Sequence, residues 1–374
     1  MSTFPRTDTS LLGRWWWTID RWMLAAVVLI AAIGAVMTMA ASPAVAERIG
    51  LDGFYFIRRQ FMFLPLALVD MIGASLLSSR GIRRLSLFVF AAAVVLMVLT
   101  LFIGVETKGA SRWIQLGGLS LQPSEFIKPS FAVLAAWMLS EQKLDDRFPG
   151  YAVSTGLFVL VIGLLLLQPD VGMSTVVAGV WALQIFLAGL PILLVALIAF
   201  LFIGGGVGAY LSFDHVRSRV DRFLDPTDSG GYQVDRALEA FRNGGLFGRG
   251  PGEGRVKEVL PDAHADFIFA VAGEEFGLIV VLLIVILFAF VVLRGFSRVF
   301  KENDLFVLIA AAGLLVQFGL QAIINMASTT NLVPPKGMTL PFISYGGSST
   351  VALALGIGMV LGLTRARPGE GGKS

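Results

Sequence analysis

Acidic side chains are scarce in this chain, yet several crowd into one stretch. It runs Glu258-Val-Leu-Pro-Asp262-Ala-His264-Ala-Asp266 and continues Phe267-Ile-Phe-Ala-Val-Ala-Gly-Glu274-Glu275. Asp266 stands where a polar loop gives way to an apolar run. Partial desolvation there raises a carboxylate pKa, while a helix N-terminus and nearby cations lower it. A group held between those influences can act as a general base. It can equally be a helix N-cap, a position that favours Asp. Glu258 can assist Asp266, although Pro261 between them rules out an assumed common helical face. Glu274 and Glu275 fall about two turns into the apolar segment. At that depth a charge costs about 2.5–3.5 kcal/mol, so it must meet a basic partner or a polar cavity.

Other stretches carry complementary groups. Arg112 and Trp113 can hold a phosphate and stack on a sugar, or serve as an anchor and a member of an interfacial aromatic belt. Glu125 and Lys128 are three residues apart, a spacing that lets them pair within one helix. Asp170 follows Gln168-Pro169 at the end of an apolar segment, and Asp70 lies inside another, where it needs a partner. Lys336 is the one cation of a Pro- and Gly-broken loop that closes Ser344-Tyr345-Gly346-Gly347-Ser348-Ser349; it can neutralise phosphate or anchor topology. The run Gly244 to Gly254 cannot be helical, and its N–H groups can form an anion nest. Gly204-Gly-Gly-Val-Gly208 lacks the Lys-Ser/Thr of a phosphate loop and reads as a helix-packing surface. With no cysteine and two histidines, thiol chemistry and His-rich metal sites are excluded. No metal cage is visible; a divalent cation, Mg or Mn, is the one cofactor the reading allows.

The elements that must position these groups follow from composition. Of 374 residues 56% are hydrophobic and only 15% charged, against nearer a quarter charged in soluble domains. The predicted fold class is all-α, a polytopic integral membrane protein of about ten transmembrane helices. Spans are expected near 22–41, 61–79, 84–104, 124–140, 151–168, 171–189, 191–211, 267–293, 304–325 and 349–365. The first is too long for a cleaved signal sequence. Basic residues at Arg80, Arg83, Arg84, Arg294, Arg298, Lys301, Arg365 and Arg367 then share one face with both termini, the cytoplasmic one. This divides the chain into a cytoplasmic segment 1–21, a membrane domain 22–365 and a tail 366–374. A large extracytoplasmic loop, 212–266, joins spans seven and eight and is rich in cations, Arg217 and Arg255 among them. Within it, Val234, Leu238 and Phe241 recur at helical spacing and predict an amphipathic helix over 232–243 lying at the interface.

Five motifs in order, Gly109-Ala-Ser-Arg-Trp-Ile114, Gln122-Pro-Ser-Glu-Phe-Ile-Lys128, Gln168-Pro-Asp-Val-Gly172, Leu260-Pro-Asp-Ala-His-Ala-Asp-Phe-Ile-Phe269 and Pro341-Phe-Ile-Ser-Tyr-Gly-Gly-Ser-Ser349, resemble the SEDS family (shape, elongation, division and sporulation) over roughly residues 20–365. The Lys336-Gly337 pair fits its division branch better than its elongation branch. Ala265 and Asp262 depart mildly from the family pattern, where threonine and glutamate are commoner. The resemblance implies a peptidoglycan glycosyltransferase that polymerises lipid II at the septum of the bacterial inner membrane and releases undecaprenyl pyrophosphate. The family's essential carboxylate falls on Asp266 and its companion acid on Glu258. Arg112, Trp113, Lys336, Ser348, Arg217 and Arg255 are then the residues expected to bind substrate or pyrophosphate. Glu125, Lys128, Asp170, Glu274 and Glu275 form a structural polar network. Implied partners are lipid II, the undecaprenyl-linked glycan, a class B penicillin-binding protein and other divisome membrane proteins, with no nucleic acid. Competing readings are a lipid II flippase, with Asp70, Glu274 and Glu275 lining a path, a non-catalytic divisome scaffold, and the elongation-type polymerase.

Overall fold

The computed structural model describes residues 10–107, 110–117, 119–212, 214, 216–218, 221, 232–334 and 337–365. A short helix, α1 (Leu11–Thr18), precedes the first long one, α2 (Arg21–Arg48). Next come α3 (Tyr55–Leu76), α4 (Ser79–Ile103), α5 (Pro123–Leu144), α6 (Gly150–Leu167), α7 (Val171–Leu187) and α8 (Ile192–Ser212). The outer loop holds α9 (Tyr232–Gly244) and the single turn α10 (Val256–Val259). The long helices α11 (Ile268–Val299), α12 (Leu305–Thr329) and α13 (Gly347–Leu363) complete the chain.

Each of the ten expected spans coincides with one of these helices, so the all-α polytopic fold holds. Among the described residues, α2, α3, α4, α6, α8, α11 and α12 are long and apolar enough to cross a membrane. α7 and α13 are apolar but have 17 residues each, about 26 Å of helix, close to the hydrocarbon thickness. α5 carries Glu125 and Lys128 near its start. The first helix runs on through Pro43 to Arg48, past its expected end at residue 41. Proline there removes one hydrogen bond without stopping the helix, because neighbouring helices enclose Ala41, Ser42, Val45 and Ala46.

The interior is built on α5, α12 and α13. Nearly every residue of α13 is buried, as is most of α12. At the start of α2, Asp20 caps the helix and ties it to α11. Its carboxylate accepts from the backbone of Trp22 and Met23 and pairs with Arg294 at 2.9 Å and Arg298 at 2.8 Å.

Three features differ from expectation. The loop after α4 forms a small antiparallel sheet of β1 (Val105–Thr107), β2 (Ala110–Leu116) and β3 (Leu119–Leu121), in the order β1-β2-β3. β1 and β3 are only three residues long and the seven residues of β2 do not alternate strictly, so periodicity does not announce them. The amphipathic helix, expected to lie at the interface, docks on α11 instead: Gly244 abuts the backbone of Gly273, and the half-buried Phe241 ring covers Gly273 and lies 5.7 Å from the Phe269 ring. Val234, Ala237 and Ala240 are buried and Leu238 is half-buried. Finally, the glycines of α8 pack against nothing among the described residues. A Cβ at Gly204, Gly205, Gly206 or Gly208 would meet no atom within 4 Å, and α8 touches the rest of the bundle chiefly through α7.

Candidate functional site

The site is built around a run of tight turns from Pro261 to Phe267, immediately before α11. Its buried anchors are Leu260, Ala263, His264 and Phe267. Arg48 donates to the carbonyls of Glu258 at 3.1 Å and Leu260 at 3.2 Å. Three consecutive carbonyls are then held by donors from the loop before α13 and from α12. Tyr345 N–H donates to His264 O at 2.9 Å. The Ser344 hydroxyl donates to Ala265 O at 2.6 Å, and Asn325 Nδ2 donates to Asp266 O at 2.9 Å. The His264 ring lies 4.3 Å from the Phe56 ring and 5.4 Å from that of Tyr345. Burial pushes the Tyr345 phenol above its ordinary range, against the opposing pull of Arg59, so it remains protonated.

Asp266 is therefore fixed by its backbone, and the residue is half-buried. The N-cap alternative fails, because the cap of α11 is Phe267 and has no side-chain capping bond. Asp266 Oδ2 lies 3.5 Å from where a Cβ would stand on Gly337, whose φ is +63°. Lys336, its sequence neighbour, lies outside the described residues. Glu258 is not brought to Asp266. It sits exposed on α10, with no side-chain hydrogen bond or ion pair among the described residues.

The other expected binding groups have different surroundings. Arg112 Nε donates to Gln168 O at 2.9 Å, another of its nitrogens donates to Pro169 O, and its third pairs with Asp170 at 3.1 Å. It clamps the α6–α7 connection to the sheet, and Asp170 in turn caps α7 through Met173 N–H at 3.0 Å. Trp113 is half-buried on β2. The Ser348 hydroxyl accepts from Gln122 N–H at 3.1 Å and donates to Ser120 O at 3.4 Å, joining α13 to the sheet and α5. Arg217 is exposed beside Asp221 at 3.7 Å. Arg255 is exposed at the start of α10 with no side-chain partner among the described residues.

Glu125 and Lys128 form a buried pair at 2.8 Å. Lys128 also donates to Gln321 Oε1 at 2.9 Å, and Gln321 Nε2 reaches Thr339 Oγ1 at 3.2 Å and Ser349 Oγ at 3.3 Å. The network thus supports the loop that precedes α13.

The glycine-rich run proves to be a strap over a break in α11. Gly277 has φ +78° and ψ 179°, a conformation essentially reserved for glycine. Around it the helix loses its own hydrogen bonds, and the strap replaces them. Arg249 and Gly250 N–H donate to the carbonyls of Glu274 and Glu275, while Leu278 and Ile279 N–H donate to those of Gly245 and Leu246. The strap's N–H groups do hold anions, and these are the protein's own carboxylates. Gly252 N–H donates to Glu275 at 2.8 Å and Val256 N–H to Glu274 at 3.0 Å. Lys257 neutralises Glu275 at 2.6 Å and Arg249 approaches Glu274 at 3.7 Å. Both glutamates are fully enclosed, at 0% and 1% exposure. Asp70, expected to have a partner, leaves Oδ2 without a hydrogen bond among the described residues.

Arg48, Asn325 and Gln321 escaped the functional reading of the sequence. A signal was present for two of them, since Gln317, Gln321 and Asn325 recur every fourth residue in an apolar span. No cluster of three acidic or histidine side chains suited to a metal occurs among the described residues.

A carboxylate set at one end of a polytopic helical bundle, with a buried polar network beside it, is the arrangement of a membrane-embedded protein with a polar site. The chain belongs to the cell cycle protein family of FtsW, RodA and SpoVE, whose model matches residues 20–368. It is 47% identical over 372 residues to the "Probable peptidoglycan glycosyltransferase FtsW" of Caulobacter vibrioides, covering 99% of this chain and 95% of that one. It is 33% identical over 354 residues to stage V sporulation protein E of Bacillus subtilis, covering 92% and 97%. Among solved structures it resembles a chain of a peptidoglycan synthase complex in which polymerization and crosslinking are coordinated, with a TM-score of 0.75, 28% identity and coverage of 92% and 97%. Rod shape determining protein RodA of Thermus thermophilus matches with a TM-score of 0.69, 28% identity and coverage of 93% and 97%.

Proposed function

We propose that this protein is a peptidoglycan glycosyltransferase that polymerises lipid II, with Asp266 as general base. The observation that supports the assignment is the grip on three successive carbonyls, 264 to 266, which fixes the backbone of Asp266 immediately before α11. Asp266 takes the proton from the sugar 4-hydroxyl of the incoming lipid II. That oxygen bonds to the anomeric carbon of the growing chain with inversion, and the bond to undecaprenyl pyrophosphate breaks. Negative charge builds on the leaving group, and fixed cations nearby lower the barrier. Arg112 is already engaged by Asp170 and two carbonyls. The cations proposed for the pyrophosphate are therefore Arg255 and Lys336, while Trp113 on β2 offers a ring for sugar stacking.

The partner proposed is a class B penicillin-binding protein, supported by the resemblance to a chain of a peptidoglycan synthase complex. The site of action proposed is the division septum of the inner membrane, supported by 47% identity to a relative named as an FtsW. The decisive experiment is polymerisation of purified lipid II with the cognate transpeptidase present. Wild type makes long glycan chains, and an equally folded Asp266→Asn protein is expected to make none. Normal polymerisation by the variant would remove Asp266 as the base.

A further inference from the structure

We infer that Asn325 is a positioning residue that holds the Asp266 turn and the loop after Lys336 at a fixed separation. The inference rests on the assignment of Asp266 as base. Asn325 lies on α12 near its outer end and is 2% exposed. Its single amide nitrogen spans two segments far apart in the chain. It donates to Asp266 O at 2.9 Å and to Met338 O at 2.6 Å. Both acceptors are carbonyl oxygens, so only the amide nitrogen can face them, and the side-chain orientation is fixed by chemistry. Met338 adjoins Gly337, the residue that approaches the Asp266 carboxylate. One side chain therefore ties the backbone of the base to the strand of loop that approaches its carboxylate.

Two further observations separate this from ordinary packing. Asn325 Oδ1 is buried without a hydrogen-bond partner among the described residues. A lone buried acceptor is unfavourable, and an apolar residue would suit the middle of a helical bundle better. The fold thus retains an amide for its two donors. One turn below, Gln321 repeats the arrangement, bonding to Thr339 O and Thr339 Oγ1 and accepting from Lys128. The column of amides on α12 fastens the loop at successive residues, 338 and 339, and only Asn325 carries the fastening across to Asp266.

Glycosyl transfer needs the base, the attacking hydroxyl and the leaving pyrophosphate in register, and a displacement near 1 Å is worth on the order of a hundredfold in rate. Asn325→Ala should reduce kcat for lipid II polymerisation by about 10- to 100-fold, with KM changed by less than about threefold. The acid limb of its kcat–pH profile should move, because the carboxylate is no longer held in one environment. Asn325→Gln keeps both donors on a longer arm and should recover part of the rate.

The test measures kcat, KM and pH profiles for wild type, Asn325→Ala, Asn325→Gln and Asp266→Asn. Each is co-purified with the transpeptidase, and its folded fraction is read from thermal melting. A kcat for Asn325→Ala within about threefold of wild type, beside an inactive Asp266→Asn, would overturn the inference and leave the base assignment standing. So would an equal loss in the Ala and Gln variants that follows their folded fraction with an unmoved pH profile. Full activity in Asp266→Asn would overturn the base assignment itself, and the inference with it.

Discussion

Replacing Lys257 by methionine tests whether the glycine strap is fastened by charge. Lys257 Nζ donates to Glu275 Oε1 at 2.6 Å, to Gly252 O at 2.8 Å and to Ala40 O at 2.9 Å. Its side chain is 7% exposed and that of Glu275 is 0% exposed. Methionine preserves the stem and removes the charge. Glu275 would keep only the Gly252 N–H, and an unpaired buried carboxylate costs about 3–5 kcal/mol. Two carbonyls also lose a donor, at about 0.5–1.5 kcal/mol each. A total near 5 kcal/mol is comparable with the whole stability of many domains, about 5–15 kcal/mol. The native alternative is local release of the strap. Amides 249, 250 and 252, now bonded to Glu274 and Glu275, would then exchange with solvent much faster. Hydrogen exchange read by mass spectrometry on peptides spanning 244–257, with denaturant titration in detergent, measures both effects. Adding Glu275→Gln removes the stranded charge and should restore about 2 kcal/mol or more, the coupling expected of residues in direct contact. Unchanged exchange in Lys257→Met, or single and double variants that simply add, would refute the reasoning.

Gly277→Ala should destabilise α11 by about 1–3 kcal/mol from backbone strain alone, and more because the new Cβ would run into the backbone of Leu246 and Gly248; thermal melting in detergent reads the loss. Asp20→Asn should weaken the docking of α2 on α11 by about 1–3 kcal/mol, less than a fully buried pair because Arg298 is 40% exposed. Burial raises the Asp20 pKa, but the bonds from Arg294, Met23 N–H and Arg298 prevail and hold it below the ordinary value. A depressed carboxylate adds stability above its unfolded pKa, about 3.9, and loses it as pH falls through the folded value. The gap between wild type and variant should therefore be present at neutral pH and close below about pH 4, as followed by melting across pH.

What the sequence conveyed and what it withheld divide by range. The Glu125–Lys128 pair is local and follows from helical spacing. The ten helices follow from runs of apolar residues that no soluble fold could bury. Asp266 stood out because a carboxylate at the edge of such a run demands a reason. Arg112 looked like a phosphate ligand because its partner Asp170 lies far along the chain, and no local rule joins a strand to the end of α6. The glycine run read as an anion nest, and it is one. Only the fold shows that Glu274 and Glu275, some twenty to thirty residues away in sequence, fill it. The α8 glycines mislead in the opposite sense, since a small-residue stripe announces close packing without saying whether this chain supplies the second surface.

The buried acidic side chains that cap helices or enter the bundle largely have their counter-charges within the fold. Glu125 is matched by Lys128, Asp170 by Arg112, Glu275 by Lys257, and Asp20 by Arg294 and Arg298. Glu274 has Arg249 beside it together with two N–H donors. In each case the cation is consumed locally, which is what burial in a low-dielectric interior requires. These pairs therefore leave little uncompensated charge for a ligand. The proposed pyrophosphate site then draws on exposed cations such as Arg255, which stands three residues before Glu258 and at the start of the segment that leads to Asp266. Such a division keeps the structural pairs from competing with substrate. Neutralising Arg112 should then disturb the α6–α7 connection, and neutralising Arg255 should disturb catalysis without loosening the fold.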